Sequence, residues 1–221
     1  MCAVEAVPAK HGLHTGWAFI INQPRRSAKR ISWADALISL PPFAYAEDFW
    51  ALHDRLASPS TLPSGSDYNL FREGTKPSWE AWPTGGLWQL SLPHRQLARG
   101  GPALDHLWRG AALAVIGEQL TDDDCVAEEV CGATVSVRTG GDRITVWTRS
   151  GSDEPLQRQI GARLLELLSA AIGLPALPVD LLYIAHADSR HNRKDVRYTI
   201  CRSPLPSATH RAAGAQEIPV D

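Results

Sequence analysis

The 221-residue chain carries 22 Lys and Arg against 24 Asp and Glu, for a formal net charge of −2, so bulk attraction to a nucleic-acid backbone is excluded and any anion site must be a local cluster. Its hydrophobic share of 44% and charged share of 21% are those of an ordinary soluble globule, long enough for one sizeable domain. No apolar run approaches a membrane span and no signal-peptide core opens the chain. The four cysteines (Cys2, Cys125, Cys131, Cys201) lack zinc-site spacing and are expected to be reduced thiols of a cytosolic protein.

Residues 1–15 show no periodicity and are expected to form a flexible tail, with one domain over 16–200 and an extension over 201–221. Residues 16–21 (GWAFII) read as a first strand. Residues 22–42 are a long, basic, proline-punctuated connection that holds Trp33 in the polar setting AKRISWADA. The spacing of Phe49, Leu52 and Leu56 predicts an amphipathic helix over 46–57. Trp50 points away from that stripe, either as an ordinary edge residue or as a contact for a partner.

A short strand over 67–71 leads into KPSWEAWPTGGLW, residues 76–88, with three tryptophans among Pro, Gly, Ser and Thr. A loop indole followed directly by a carboxylate, Trp79–Glu80, suits a flat ligand: the ring stacks and the acid accepts hydrogen bonds from the ligand edge. The bland alternative is an aromatic cluster that pins the loop. Residues 86–92 alternate strictly, which puts Trp88 in the core.

A second helix is expected over 102–120, buried through Leu104, Leu107, Trp108, Ala111 and Val115. It leaves Leu113, between Gly110 and Gly117, as a shallow apolar dimple on the far side, with Leu120. Residues 122–130 form an acidic loop without calcium-site spacing. Strands over 133–138 and 142–149 form a hairpin through Thr139, Gly140 and Gly141. If Arg138 lies opposite Arg143, the like charges either clamp an anion or fan into solvent. A third helix spans 155–172, with Leu156, Ile160, Leu164, Leu167 and Ala171 facing inward, and last strands fall at 181–186 and 196–200 around a basic loop holding Arg190, Arg193 and Lys194. About eight strands in hairpin order with three interspersed helices predict an α+β fold, an antiparallel sheet covered on one face by helices.

The order of these segments resembles the eukaryotic translation initiation factor 4E family, the messenger-RNA cap-binding proteins. The resemblance is carried by His11, Leu13 and Trp17, AEDFWALH, SDYNLF, KPSWE, GGLWQL, LAVIGEQ, VCGATVSVRTGGDRITVWT and AHADS, spanning roughly 11–200. It implies a curved antiparallel sheet with three long helices on its convex face and a site for the 7-methylguanosine cap on its concave face. Trp33 and Trp79 match the positions that sandwich the methylated base, Glu80 the acid that pairs with the guanine edge, and Trp147 the residue at the N7-methyl. Arg138 and Arg143 match the phosphate-binding pair. Leu87 and Gly140 stand where many members carry Arg and Lys, and Arg190, Arg193 or Lys194 is the expected compensation.

On the convex face the family binds a helical Tyr-x-x-x-x-Leu-Φ segment of a 4G-type scaffold factor or of a repressor. His11, Trp50, Leu113 and Gly117 match that surface, whereas Gly12, Ala46, Arg109 and Gly110 replace the usual residues and point to a divergent partner. The resemblance implies a monomeric, cytoplasmic and also nuclear cap-binding protein that recruits messenger RNA for translation, with no catalysis, cofactor or metal. The alternative is a cap-binding repressor that does not engage the scaffold. A hydrolase lacks support, for want of a Walker loop, a metal-spaced acid cluster or a nucleophile–histidine pair. His186 reads as structural or as a ligand-edge contact. General single-strand binding is disfavoured by the acidic balance.

Overall fold

A computed structural model describes residues 9–22, 24, 37–93, 101–121, 124–189 and 196–200. Among these, nine strands join one curved antiparallel sheet: β1 (Gly12–Asn22), β2 (Ile38–Ser39), β3 (Phe43–Tyr45), β4 (Asp67–Arg72), β5 (Gly86–Leu92), β6 (Val130–Ser136), β7 (Asp142–Thr148), β8 (Leu181–Ala185) and β9 (Val196–Ile200). Their order is β2-β1-β4-β6-β7-β5-β8-β9, with β3 also paired to β1. Helices α1 (Ala46–His53), α2 (Pro102–Ile116) and α3 (Glu154–Ala171) pack on one face, and a single turn, α4 (His186–Ser189), follows β8.

Side-chain alternation divides the sheet. Trp17, Phe19 and Ile21 of β1, Leu70 of β4, Trp88 and Leu90 of β5, and Ile144 and Val146 of β7 are buried beneath the helices. The intervening residues, such as Asn69, Gln89, Ser136, Arg143 and Trp147, line the opposite face. Strictly alternating strands have no other way to bury one set and leave the other available. In α3 the inward residues are Gln157, Ile160, Gly161, Leu164 and Leu168, so the buried stripe runs through Leu168, and the expected Leu167 is only half-buried. Gly161 lets the helix lie directly on the sheet: a Cβ there would come within 2.6 Å of the Trp88 indole.

Several boundaries depart from the sequence reading. β1 begins at Gly12, so residues 12–15, expected in the tail, belong to the sheet. The connection assigned to 22–42 contains β2, and β3 follows it; both are too short to show periodicity. α1 stops at His53 rather than residue 57 and is only eight residues long. α2 ends at Ile116, because Gly117 caps it and Glu118 adopts a left-handed φ of 50°. That turn folds Leu120 inward to 1% exposure, contrary to the expectation that it faces outward.

Candidate nucleic-acid interface

The loop between β4 and β5 is a chain of tight turns. Gly74 takes a φ of 79°, where a side chain would be strained, and the Thr75 hydroxyl donates to the Arg72 carbonyl at 2.6 Å. Successive backbone bonds from Ala81 to Ser78, Trp82 to Trp79 and Gly85 to Trp82 then coil the segment. This winding separates the indoles. Trp79 is 44% exposed and Glu80 is exposed beside it, its carboxylate accepting from the Ser78 hydroxyl.

Trp82 instead turns inward. It packs against a small cluster of Ile20, Phe71 and Cys131 on the face away from the helices, with the Arg149 guanidinium 5.6 Å from its ring centre. Its carbonyl oxygen lies 2.8 Å from Nδ1 of His186, and the His186 backbone N–H donates to the Gly85 carbonyl. His186, 2% exposed, is therefore a clasp on the loop base. Trp82 is the anchor and Trp79 the displayed ring.

Glu80, Ser78 and Lys76 line one side of a cavity of about 570 Å³, closed opposite by Ala18 and Ile20 of β1 and by Ser39 of β2. Trp33, the expected second plate of the sandwich, lies outside the described residues, as do Arg190, Arg193 and Lys194. Further along the same face, Pro77, Leu87, Trp147, Arg138 and Arg143 border a hollow of about 220 Å³. Trp147 is wedged edge-on against Phe71, with centroids 5.6 Å apart and planes at 67°, and tilted on His186 at 4.9 Å. Its orientation is thus preset by neighbours.

The two arginines do not face each other across the ladder. The register pairs Arg143 with Ser136 on one side and Ser91 on the other, while Arg138 lies beyond the end of β6. Arg143 projects onto the open face without a carboxylate partner among the described residues. Arg138 donates from one guanidinium nitrogen to the Ser66 and Val137 carbonyls, both at 2.9 Å, and from another to Asp67 at 2.6 Å. The like-charge pair that a cross-strand placement would create does not arise. Both nevertheless border the same hollow, and also a neighbouring one of about 280 Å³ that includes Gly140.

Asp67 is the site residue that sequence reasoning missed. Its position opposite Tyr68 and Leu70 in the alternation is the signal that could have placed it on this face. Burial also shifts two nearby groups: the Cys131 thiol is pushed up to about 12, and Glu129 is raised mainly by loss of solvent. Among the described residues no group of three or more His, Cys, Asp or Glu could hold a metal ion, and no helix is long and apolar enough to cross a membrane.

On the helical side, Trp50 is 38% exposed, its ring edge-on to Phe49 and His53. His11 is clipped to the start of α1: its N–H and Nδ1 meet the Glu47 carboxylate, and its carbonyl accepts from the Ala46 N–H. His11 partnership also holds the Glu47 carboxyl below its ordinary range. Gly12, Arg109 and Gly117 are exposed, and Ala46 and Leu113 are half-buried, with Leu113 packed on the core rather than facing water. Gly110 departs from the expected partner surface: a Cβ there would sit 2.8 Å from that of Ala171, so it faces α3.

A sheet with helices on one side and a displayed indole–carboxylate pair on the other defines a binding module for a flat ligand. The family model for eukaryotic initiation factor 4E matches residues 12–199. The isoform 4E initiation factor of Arachis hypogaea is 30% identical over 194 residues, covering 87% of each chain. Caenorhabditis elegans initiation factor 4E-3, solved with the 4E-binding protein Mextli and a cap analog, superposes with a TM-score of 0.73 at 32% identity, covering 87% of this chain and all of that one. Ascaris suum initiation factor 4E-3, solved with an m7G cap, gives 0.72 at 34% identity, over 87% of this chain and 98% of that one. The chain belongs to the eukaryotic initiation factor 4E family.

Proposed function

We propose that the chain binds the 7-methylguanosine cap of messenger RNA and recruits it for translation initiation, as a recognition protein without turnover, in the cytoplasm. The observation that carries this reading is the separation of Trp79 from Trp82: one loop anchors one indole and displays the other next to a carboxylate that borders a 570 Å³ cavity. N7 methylation makes the guanine ring cationic, so an indole face attracts it by about 2 kcal/mol or more when desolvated. Base stacking adds about 1–3 kcal/mol. Glu80 accepts from the guanine N1–H and 2-amino group, which adenine cannot offer in that pairing. Trp33 supplies the opposing plate, Trp147 meets the methyl group, and the phosphates run towards Arg143 and Arg138. Arg190, Arg193 and Lys194 are further phosphate contacts in this reading.

The related structures solved with Mextli and with a cap analog support two separate faces, one for cap and one for protein. Trp50, with His11 and Gly117, forms the docking face for a helical Tyr-x-x-x-x-Leu-Φ segment of a scaffold or repressor. The initiation-factor identity of the relatives favours recruitment over repression.

Tryptophan fluorescence titrated with 7-methyl-GTP and, in parallel, with GTP tests the cap reading. Quenching by the methylated ligand alone, lost in Trp79→Ala and Glu80→Gln, is expected. Equal responses to both nucleotides would refute it.

A further inference from the structure

Within the proposed cap site, we infer that Asp67 is a positioning residue that takes Arg138 out of phosphate recognition, leaving Arg143 as the principal phosphate contact. Rather than standing alone, the Arg138 guanidinium is bound at three points to the edge of the sheet: the Ser66 and Val137 carbonyls at 2.9 Å each and Asp67 Oδ1 at 2.6 Å. Its backbone N–H is held as well, donating to Asp142 at 3.0 Å. Asp67 is fixed in turn. The Ser136 hydroxyl donates to Oδ1 at 2.6 Å and the Asn22 amide to Oδ2 at 3.1 Å, and the Asp67 side chain is only 10% exposed.

A carboxylate with three donors on a rigid sheet does not yield its arginine readily. For Arg138 to turn towards a phosphate, it would have to leave a short charge-assisted bond and orphan two carbonyls. The pair is also electrically neutral as a unit. Of the charged residues around the 220 Å³ hollow, Asp67 and Arg138 cancel, and Arg143 remains as the net charge. The positions that would add cations here are Leu87 and Gly140, neither of which carries charge. Arg143 differs from Arg138 in each respect: it sits mid-strand between two serines, on the open face, with no ion pair among the described residues.

The test compares 7-methyl-GTP with 7-methylguanosine on the full chain by fluorescence titration. The nucleoside reports the base site alone, so absence of nucleoside binding would refute the cap reading, while the ratio of the two affinities reports the phosphate contacts. Asp67→Asn keeps the side-chain shape and removes the charge. It should raise 7-methyl-GTP affinity on the order of five-fold, the Coulomb effect of one unit charge in a largely aqueous setting, leave the nucleoside unchanged, and steepen the salt dependence. Asp67→Asn with Arg138→Gln removes the neutral pair together and should change 7-methyl-GTP affinity less than about two-fold. Arg143→Ala should abolish most of the gain of triphosphate over nucleoside.

Weaker 7-methyl-GTP binding in Asp67→Asn, or a double-variant loss as large as that of Arg143→Ala, would overturn the assignment. Should neither Asp67 variant fold, Arg143→Ala decides: retention of most of the triphosphate gain would overturn it.

Discussion

Arg72 closes β4 immediately before the loop that carries Trp79 and Glu80, and its replacement by Met tests how that loop is held. The guanidinium donates to the Val130 carbonyl at 2.9 Å, the Thr15 hydroxyl at 2.6 Å and the Ala127 carbonyl at 2.7 Å. It pairs with Glu118 at 2.9 Å and lies 4.9 Å from the centre of the Trp17 ring. The two charged side chains are 9% and 11% exposed, so little solvent screens them. Met fills much of the same volume but satisfies none of these acceptors. It leaves two carbonyls without this donor and strands a nearly buried carboxylate. Removing one partner of such a pair costs about 3–5 kcal/mol. For a chain of this size each kcal/mol shifts Tm by roughly 2–4 °C, so Arg72→Met should melt roughly 10 °C lower.

Urea unfolding followed by circular dichroism gives the free energy directly. Because the pair is buried, the loss should persist at high salt. A loss below about 1 kcal/mol, or one that vanishes in high salt, would show that the cluster behaves as a surface ion pair.

Other consequences are separable by assay. Burial raises Glu129 above its usual carboxylate value near 4.5. Its contribution is therefore fully present below that pH and is lost as pH rises through the folded value. Glu129→Gln should lose less stability than the wild type between pH 4.5 and about pH 7.5, measured by urea midpoints; parallel profiles would refute this. The Cys131 thiol, fully buried and pushed up to about 12, should resist iodoacetamide at about pH 8 in the native chain and react in urea, read by peptide mass spectrometry. In Gly86→Ala the new Cβ would meet the Tyr183 hydroxyl at 2.5 Å and the Ile184 carbonyl at 2.7 Å. Overpacking of this kind costs about 1–3 kcal/mol, and an unchanged Tm would show that the strands can part.

The parts legible in sequence were those with a repeating physical signal. β5 was placed to the residue because GLWQLSL alternates without interruption, and the face of α1 that displays Trp50 followed from the spacing of Phe49, Leu52 and Leu56. The Trp79–Glu80 pair stood out because an indole next to an acid in a Pro- and Gly-rich loop has few structural reasons to exist. What could not be read depended on partners distant in sequence. β2 and β3 exist through pairing with β1, not through any pattern of their own. Leu120 is buried because the Gly117–Glu118 turn reverses the chain. Arg138 looked like the twin of Arg143 until the register placed Ser136 opposite Arg143 and brought Asp67 to Arg138.

Burial sorts the tryptophans by role, and this links the fold to the proposed activity. Trp17, Trp88 and Trp108 lie under the helices at no more than 2% exposure and hold the sheet to its cover. Trp82 and Trp147, half-buried on the other face, pack with Phe71 and stiffen the surface on which a base would rest. Only Trp50 and Trp79 among the described indoles are exposed, one on each side of the sheet. Leaving an indole in water forgoes about 25 cal/mol for each Å² of apolar surface that burial would remove, and a loop that already buries Trp82 has no packing use for a second indole in solvent. Trp79 and Trp50 are therefore best explained by what they meet from outside: a flat cationic base on one face and an apolar helix on the other.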